Sequence, residues 1–321
     1  MSAIPWIGQD IVESTTLTKI LTNNLILTIA LPIIGIISSR VHINRKDRLS
    51  NEEYLSIPTS FLAFFVGLVD GDGYIQITKT EKGYIVIKLI ISIHLDDISV
   101  LNYIQSVLKI GKIKIYAHHK SPTCKLIINK TELQEILFPL LLHHKIFFLT
   151  KTWRDQFDKA MCIMNEDIKL FSNIPKNYKV IFELPNKPKD YLNLFFFKNW
   201  LVGFTMSEGS FFIKNNNDAC FQLKQRLHID LFEAIKLFFN TSFAGPRPRC
   251  KTPEGTSRKI NIDKDLYIQF GVSSKKDIQN IINFFSFSGV HPLIGLKGIQ
   301  YLSWLTNLRN SSRYSNLNFP N

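Results

Sequence analysis

The chain has 321 residues, 45% hydrophobic and 20% charged, which excludes a disordered polypeptide and leaves room for one large or two smaller cores. A formal net charge of +13 points to a polyanionic partner, either nucleic acid or an anionic membrane surface, and charge alone does not separate the two. The four cysteines form no CxxC or other metal spacing, and the adjacent pairs His118-His119 and His143-His144 point to different faces, which argues against zinc.

Met1 to Glu13 carries Asp10 and Glu13 and no base, the reverse of a transit peptide. Asn24 to Arg40 is largely apolar but falls short of the ~20 residues a membrane span needs, and Pro32 and Gly35 weaken a plain helix. It is a weak anchor, a leftover precursor segment, or an apolar arm packed on the body. Asn44 to Ser50 reads as a solvated linker. Residues 1–57 are therefore set apart from the rest of the chain.

Pro58 opens a first unit, residues 58–172. A helix over Ser60 to Asp70 leads into strands Tyr74 to Thr80 and Tyr84 to His94, turned by Glu81-Lys82-Gly83. Asp96 or Asp97 caps a helix through Leu108. Strands Lys112 to Tyr116 and Thr123 to Ile128 come next, and Thr131 with Gln134 has the form of a capping box. Residues 173–195, with Pro175, Pro185 and Pro188, read as a linker. The second unit, 196–321, repeats the order. Strands Ser210 to Asn215 and Ala219 to Gln225 precede a helix from Ile229 to Phe239. A basic loop comes after it, with Arg247, Arg249, Lys251, Arg258 and Lys259. Strand Leu266 to Val272, a Ser274-capped helix and a last helix around Ile299 to Leu305 complete it.

Each unit opens on the same pattern. Phe61 to Gly73 and Phe197 to Gly209 are apolar runs with one internal glycine, then a small residue, a carboxylate and a glycine. Gly67 and Gly203 are separated by the same interval as Asp72 and Glu208. One copy alone reads as a core helix ending in a turn. Two copies predict helices packed glycine to glycine at Gly67 and Gly203, which brings Asp72 and Glu208 together. Paired carboxylates at such a junction suit a hard cation such as Mg²⁺.

Val66-Gly67-Leu68-Val69-Asp70-Gly71-Asp72-Gly73 and, more loosely, Val202-Gly203-Phe204-Thr205-Met206-Ser207-Glu208-Gly209 resemble the motif of the LAGLIDADG homing endonucleases. Met206 departs from the pattern, since the family usually carries an acid there. The resemblance implies an α+β fold of two pseudo-symmetric αββαββα units, whose curved antiparallel sheets form a DNA-binding saddle. It implies a monomer that needs no protein partner and cuts a double-stranded DNA site, with two or more divalent ions shared between Asp72 and Glu208. On the same grounds Lys297 matches a basic accessory residue, Lys151 is its expected first-half counterpart, and Gln225 matches a residue of the water network. The first-half equivalent of Gln225 falls near Leu89 or Ser92.

Alternation along the strands gives Tyr74, Gln76 and Thr78 one face, and Ser210, Phe212, Lys214 and Asn216 the equivalent face of the second unit. Lys112, Lys114 and Gln269 extend it. Such a face reads base edges in a major groove, although without the motif pair it would pass for an ordinary solvated surface. Met1 to Glu13, containing Ile4-Pro5-Trp6-Ile7-Gly8-Gln9-Asp10-Ile11-Val12, is similar to a loop of mitochondrial cytochrome b. The chain thus resembles the two-motif proteins of cytochrome b introns, which implies mitochondrial expression and an intron-less cytochrome b junction as target. Some of that group assist splicing of their own group I intron. A maturase that binds this RNA, alone or in addition, is the alternative, with Arg309, Arg313, Lys275 and Lys276 as its candidate surface.

Overall fold

In the structure, a computed structural model, residues 45–118, 121–226, 228–241, 247–250 and 266–320 are described. The chain divides into Met1–Ser39 and Arg40–Asn321, and all described residues lie in the second unit. The cytochrome b-like string, the apolar stretch Asn24 to Arg40 and the bases Lys251, Arg258 and Lys259 lie outside the described residues. Among those described, no helix is long and apolar enough to cross a membrane.

The body begins earlier than Pro58. Ser50 and Glu53 form a reciprocal capping box on α1 (Asn51–Leu55), and Tyr54 and Ile57 enter the core. Arg48 pairs with Glu132 and Glu135 at 3.6 and 3.2 Å, so residues 45–50 are tied to the first half and do not form a solvated linker.

The first motif helix, α2 (Thr59–Asp72), is buried from Phe61 through Asp70. A helix apolar on all sides must be enclosed, and its counterpart encloses it. Strands β1 (Gly73–Lys79), β2 (Ile85–His94), β3 (Lys112–Tyr116) and β4 (Thr123–Asn129) form an antiparallel sheet in the order β1-β2-β4-β3. Between β2 and β3 runs α3 (Ile98–Leu108). Its Val100, Leu101, Ile104 and Leu108 face the core at helical spacing. After β4 the capping box is Asn129 with Glu132, two residues before the expected pair. Asn129 Oδ1 accepts from Glu132 N, and Asn129 N donates to Glu132 Oε2. The chain passes through a π turn at Leu133–Leu137 into α4 (Phe138–His143), then α5 (Lys151–Asn165). A short α6 (Pro188–Leu192) comes after the linker.

The second half repeats this with α7 (Phe197–Glu208), β5 (Gly209–Ile213), β6 (Ala219–Arg226), α8 (Ile229–Phe239), β7 (Arg247–Cys250), β8 (Leu266–Val272), α9 (Lys275–Phe287) and α10 (Gly295–Arg309). Its sheet order, β5-β6-β8-β7, is that of the first. Arg247 to Cys250, expected as part of a basic loop, is a strand paired to β8. It holds Pro248, which a sheet tolerates at an edge such as β7 occupies. The fold is α+β, two like halves each with one open antiparallel sheet.

α2 and α7 pack along their length. Each glycine sits against the partner helix's backbone over the turn that contains the other glycine. A Cβ on Gly67 would collide with the Trp200 carbonyl oxygen and meet Phe204 N at 2.8 Å. One on Gly203 would collide with the Phe64 carbonyl oxygen and meet Leu68 N at 2.8 Å. Only glycine lets two helix backbones approach so closely.

Candidate active site and nucleic-acid interface

Asp72 and Glu208 are the last residues of α2 and α7, and in each case the chain turns at the next glycine into a strand. The two helix ends are in contact. A Cβ on Gly71 would collide with Ser207 and meet Glu208 Cγ at 3.4 Å. The Ser207 hydroxyl lies 3.2 Å from the Leu68 carbonyl oxygen and also interacts with Asp72. Burial raises the Asp72 carboxyl above its ordinary range, while Ser207 and the Lys297 charge oppose that rise. Gln225 Nε2 donates to Glu208 Oε1 at 2.9 Å and lies 3.5 Å from the Asp70 carbonyl oxygen, which fastens the second carboxylate to the first helix.

Lys297 stands among acids. Burial lowers its ammonium below the usual range, and Asp72, Asp97 and Glu208 pull it back up. Its Nζ donates to the Gly209 carbonyl oxygen, at the turn just after Glu208. Asp97, a candidate cap for its own helix on sequence grounds, makes no such bond. Its Oδ1 instead accepts from Leu296 N at 2.9 Å, at the start of the helix that carries Lys297. A first-half carboxylate thus holds a second-half helix by its N-terminus, where negative charge is favoured.

Asp70, the other motif acid, does a different job. It is fully buried and accepts from Leu149 N, Thr150 Oγ1 and Trp200 Nε1 at 2.8, 2.6 and 2.7 Å. Burial pushes its carboxyl up to about 7 against these bonds, which favour the ionised form. It joins α2 to the segment before α5 and to α7. At the matching place in α7, Met206 is an apolar core residue.

Lys151 is not the counterpart of Lys297. It is exposed at the first position of α5 and is not among the groups acting on Asp72. α5 and α10 are both 15 residues long, and both bury matching positions: Phe157, Ala160, Met161 and Met164 against Tyr301, Trp304, Leu305 and Leu308. In that alignment the third residue of each helix is Trp153 and Lys297. Trp153 Nε1 donates to the Asp70 carbonyl oxygen at 3.1 Å. Neither Leu89 nor Ser92 matches Gln225. Gly73 pairs with Ile91 and Gly209 with Leu223, so two residues further on Ile93 stands opposite Gln225 in the symmetry.

Among the described residues no three His, Cys, Asp or Glu side chains converge on one metal position. Two carboxylates nevertheless fit a hard divalent cation that keeps water and substrate phosphate oxygens as its remaining ligands, the usual Mg²⁺ arrangement. Asp72 and Glu208 are the residues that would hold it.

Both sheets carry a basic face. On the first, Tyr74 and Gln76 are half-buried and Thr78 is exposed. Gln76 pairs with Lys88 and Ser92 with Lys125, and Lys114 lies directly opposite Lys125, near Lys112. Like charges directly opposite are unfavourable in a sheet unless an anion covers them. On the second, Ser210 pairs with Gln222 and Lys224 with Gln269. Gln269 Nε2 donates to Gln222 Oε1 at 3.0 Å, Lys224 Nζ sits 4.1 Å above the Tyr267 ring, and Phe212 is exposed. The register places Arg247 opposite Gln269 and Arg249 opposite Tyr267. β5 ends at Ile213, so Lys214 and Asn216 lie in the turn beyond it, where Lys214 Nζ donates to Ser273 Oγ at 2.8 Å. Sequence reading missed Lys88, Lys125, Gln222 and Lys224. Alternation along β2, β4 and β6 held the signal, but only the strand register brings those residues onto the same face as Gln76 and Ser210. Of the residues expected to bind RNA, Arg313 pairs with Asp218 and Arg309 with the Pro320 carbonyl oxygen, while Lys275 and Lys276 are exposed.

The model of the family described as LAGLIDADG endonuclease matches residues 65–160. The probable intron-encoded endonuclease aI3 of Kluyveromyces lactis is 27% identical over 274 residues, 75% of this chain and 63% of that protein. The uncharacterized mitochondrial protein RF1 of Saccharomyces cerevisiae is 24% identical over 312 residues, again 63% of its length. This chain therefore spans less than two thirds of either relative. Among solved structures, the LAGLIDADG meganuclease I-AabMI bound to uncleaved DNA matches with a TM-score of 0.53 at 20% identity, over 76% of this chain and 89% of that one. I-SmaMI bound to uncleaved DNA in the presence of calcium ions matches with a TM-score of 0.50 at 17% identity, over 78% and 91%. With the motif present in both halves and its two helices packed backbone to backbone, the chain is similar to the LAGLIDADG endonucleases in motif, over residues 65–160 in the family model, and in fold.

Proposed function

We propose that this chain is a site-specific endonuclease that hydrolyses one phosphodiester bond in each strand of a double-stranded DNA target, working as a monomer whose halves each engage one half of the site. The observation that carries this reading is the placement of Asp72 and Glu208. They end two helices in contact and share Lys297, in a molecule whose two sheets present basic faces. Lys88, Lys112, Lys114, Lys125 and Lys224 neutralise backbone phosphates, while Gln76, Gln222 and Gln269 are amides able to read base edges.

Asp72 and Glu208 hold divalent metal, with Mg²⁺ as the ion of choice. The bound metal supplies Lewis-acid polarisation of the phosphate and a water of lowered pKa. The protein's own contribution is orientation and charge. Gln225 fixes the rotamer of Glu208, Ser207 supports Asp72, and Lys297 sets an ammonium where negative charge develops on the phosphate. Asp97 holds the helix from which Lys297 projects. The cytochrome b-like string at Ile4 to Val12 supports expression in the mitochondrion and the intron-less cytochrome b junction as target.

Asp72→Asn and Glu208→Gln are each expected to abolish cleavage of a plasmid carrying that junction, while DNA affinity, measured by fluorescence anisotropy, changes by less than about threefold. Phosphate contacts come from the strands, so binding does not need the carboxylates. Normal cutting by either variant at saturating Mg²⁺ would refute the assignment.

A further inference from the structure

α5 and α10 occupy equivalent places in the two halves, but their outer faces differ. The linker lies across that of α5. Asp158 Oδ1 accepts from Ile181 N at 3.1 Å, and Arg154 sits against the rings of Phe147 and Phe182, 5.2 and 5.8 Å from their centroids. Asp158 and Cys162 are buried. In the alignment that pairs Trp153 with Lys297, Thr152, Asp155, Asp158 and Cys162 correspond to Leu296, Ile299, Leu302 and Thr306. No described segment covers these. Leu296, Ile299 and Leu302 are 45, 62 and 53% exposed. The chain after α10 turns elsewhere, with the Tyr314 hydroxyl donating to the Ser273 carbonyl oxygen at 2.8 Å and Asn318 N to Gln279 Oε1 at 2.7 Å. α10 is thus apolar on its solvent side as well as on its core side, unlike an ordinary surface helix.

The change of residues says what the face takes. A polypeptide strap needs acceptors for its backbone N–H groups, as Asp158 supplies for Ile181. Leu302 stands in that place and Gly298 in that of Arg154, so α10 offers neither anchor. A second copy of the chain fits no better, since three side chains fall far short of the ~800 Å² per partner that a stable interface takes. The boundary of a bilayer asks for no hydrogen bond and accepts a short aliphatic ridge. Charge agrees. α10 contains no Asp or Glu, and Arg309 lies about two turns beyond Leu302 on the same face, paired to a carbonyl and not to an acid. The contacts of Tyr314 and Asn318 bring the start of α9, with exposed Lys275 and Lys276, to that end of α10. At the other end, Asp96 lies 3.3 Å from His94 Nδ1, and Asp97 accepts from Leu296 N.

We propose that the outer face of α10 docks the protein reversibly on an anionic lipid bilayer. Leu296, Ile299 and Leu302 enter at the headgroup boundary, and Arg309, Lys275 and Lys276 meet lipid phosphates. α10 packs through Tyr301 and Trp304 on Phe211, with ring centroids 5.0 and 5.3 Å apart. The strand neighbours of Phe211, Ser210 and Phe212, carry the opposite side of the sheet, the side assigned above to DNA. Docking leaves that side free, so an enzyme held on a membrane still engages DNA.

The test floats the purified full chain with vesicles of phosphatidylcholine, with or without phosphatidylglycerol. No DNA is present, so the outcome is independent of the endonuclease reading. The wild type should float with the anionic vesicles. Ile299→Gln combined with Leu302→Gln should weaken that partition at least about tenfold, with DNA cleavage and melting temperature unchanged. Lys275→Glu combined with Lys276→Glu should weaken it at least about fivefold, on anionic vesicles only. If the double glutamine variant melts early, Ile299→Gln alone decides, because that side chain is the most exposed of the three. Flotation that neither glutamine variant weakens would place the contact elsewhere in the chain and overturn the proposal, as would failure of the wild type to float. A wild-type dimer in sedimentation velocity, converted to monomer by the glutamine pair, would overturn it in favour of a protein interface.

Discussion

His291 shows how a single side chain couples the halves. It lies in the segment before α10, stacks on Phe64 of the first motif helix at 3.9 Å and meets the Tyr103 hydroxyl at 3.0 Å. Burial lowers its imidazole to about 4, so it stays neutral in the fold while it would titrate near 6.5 in the unfolded chain. A lowered folded pKa means the unfolded state binds more protons in between. Stability is therefore full above pH 6.5 and falls as pH drops towards 4, by up to about 3 kcal/mol. Asp70 works in the opposite sense. Its raised carboxyl contributes stability that is present below the ordinary carboxylate range and lost as pH rises through about 7. The two overlap in the wild type, and substitution separates them. His291→Phe keeps the stack on Phe64 and removes the titration. Urea midpoints from pH 7 to 4 should fall less steeply in the variant, and parallel curves would disprove the role of His291. None of this was legible in the sequence. His291 comes after Val290 with no motif around it, and Asp70 sat inside a motif whose second acid drew the attention.

At the level of elements, the motif helices were the most readable part of the chain. A glycine inside an apolar run, found twice at the same interval from a carboxylate, implies a close helix pair. It does not say what each glycine meets. The structure sets Gly67 against the backbone from Trp200 to Phe204 and Gly203 against that from Phe64 to Leu68. Neither backbone can yield by rotating a side chain, so alanine is already too large. Gly67→Ala and Gly203→Ala should each destabilise by at least about 1–3 kcal/mol, read as a lowered urea midpoint. Unchanged midpoints would mean that the helices are further apart than described. Strand positions were also legible, because period-two alternation survives on half-buried sheets. The capping box and the Asp97 cap were not. Asn129 with Glu132 and Thr131 with Gln134 fit the same pattern two residues apart, and the choice depends on where β4 ends. Asp97 bonds a residue 199 positions away, for which local sequence carries no sign.

For the whole molecule, duplication made the architecture legible and concealed its asymmetry. A repeat invites the expectation that each accessory residue has a twin, and Lys151 was that expectation. The helix alignment gives Trp153 instead, and the strand register gives Ile93 opposite Gln225. Both are consequences of packing, since equivalent positions are fixed by which residues enter the core and not by which residues share a charge. Packing also moves the start of the folded body. Before Pro58, Arg48 bridges to Glu132 and Glu135, Ser50 caps α1, and Tyr54 is buried. A chain beginning at Ser56 forfeits the buried Tyr54, worth about 1.5–3 kcal/mol at the scale of other large side chains. It also loses the Arg48 pairs, which add up to about 1 kcal/mol at their partial exposure. Comparison with a chain beginning at Arg45 isolates this contribution from whatever residues 1–44 supply. The shorter form should unfold at a urea midpoint lower by the equivalent of about 2–4 kcal/mol, with the slope of the transition preserved if only a peripheral helix is missing. Coincident curves for the two truncations would show that α1 adds nothing to the first half and that the folded body does begin at Pro58.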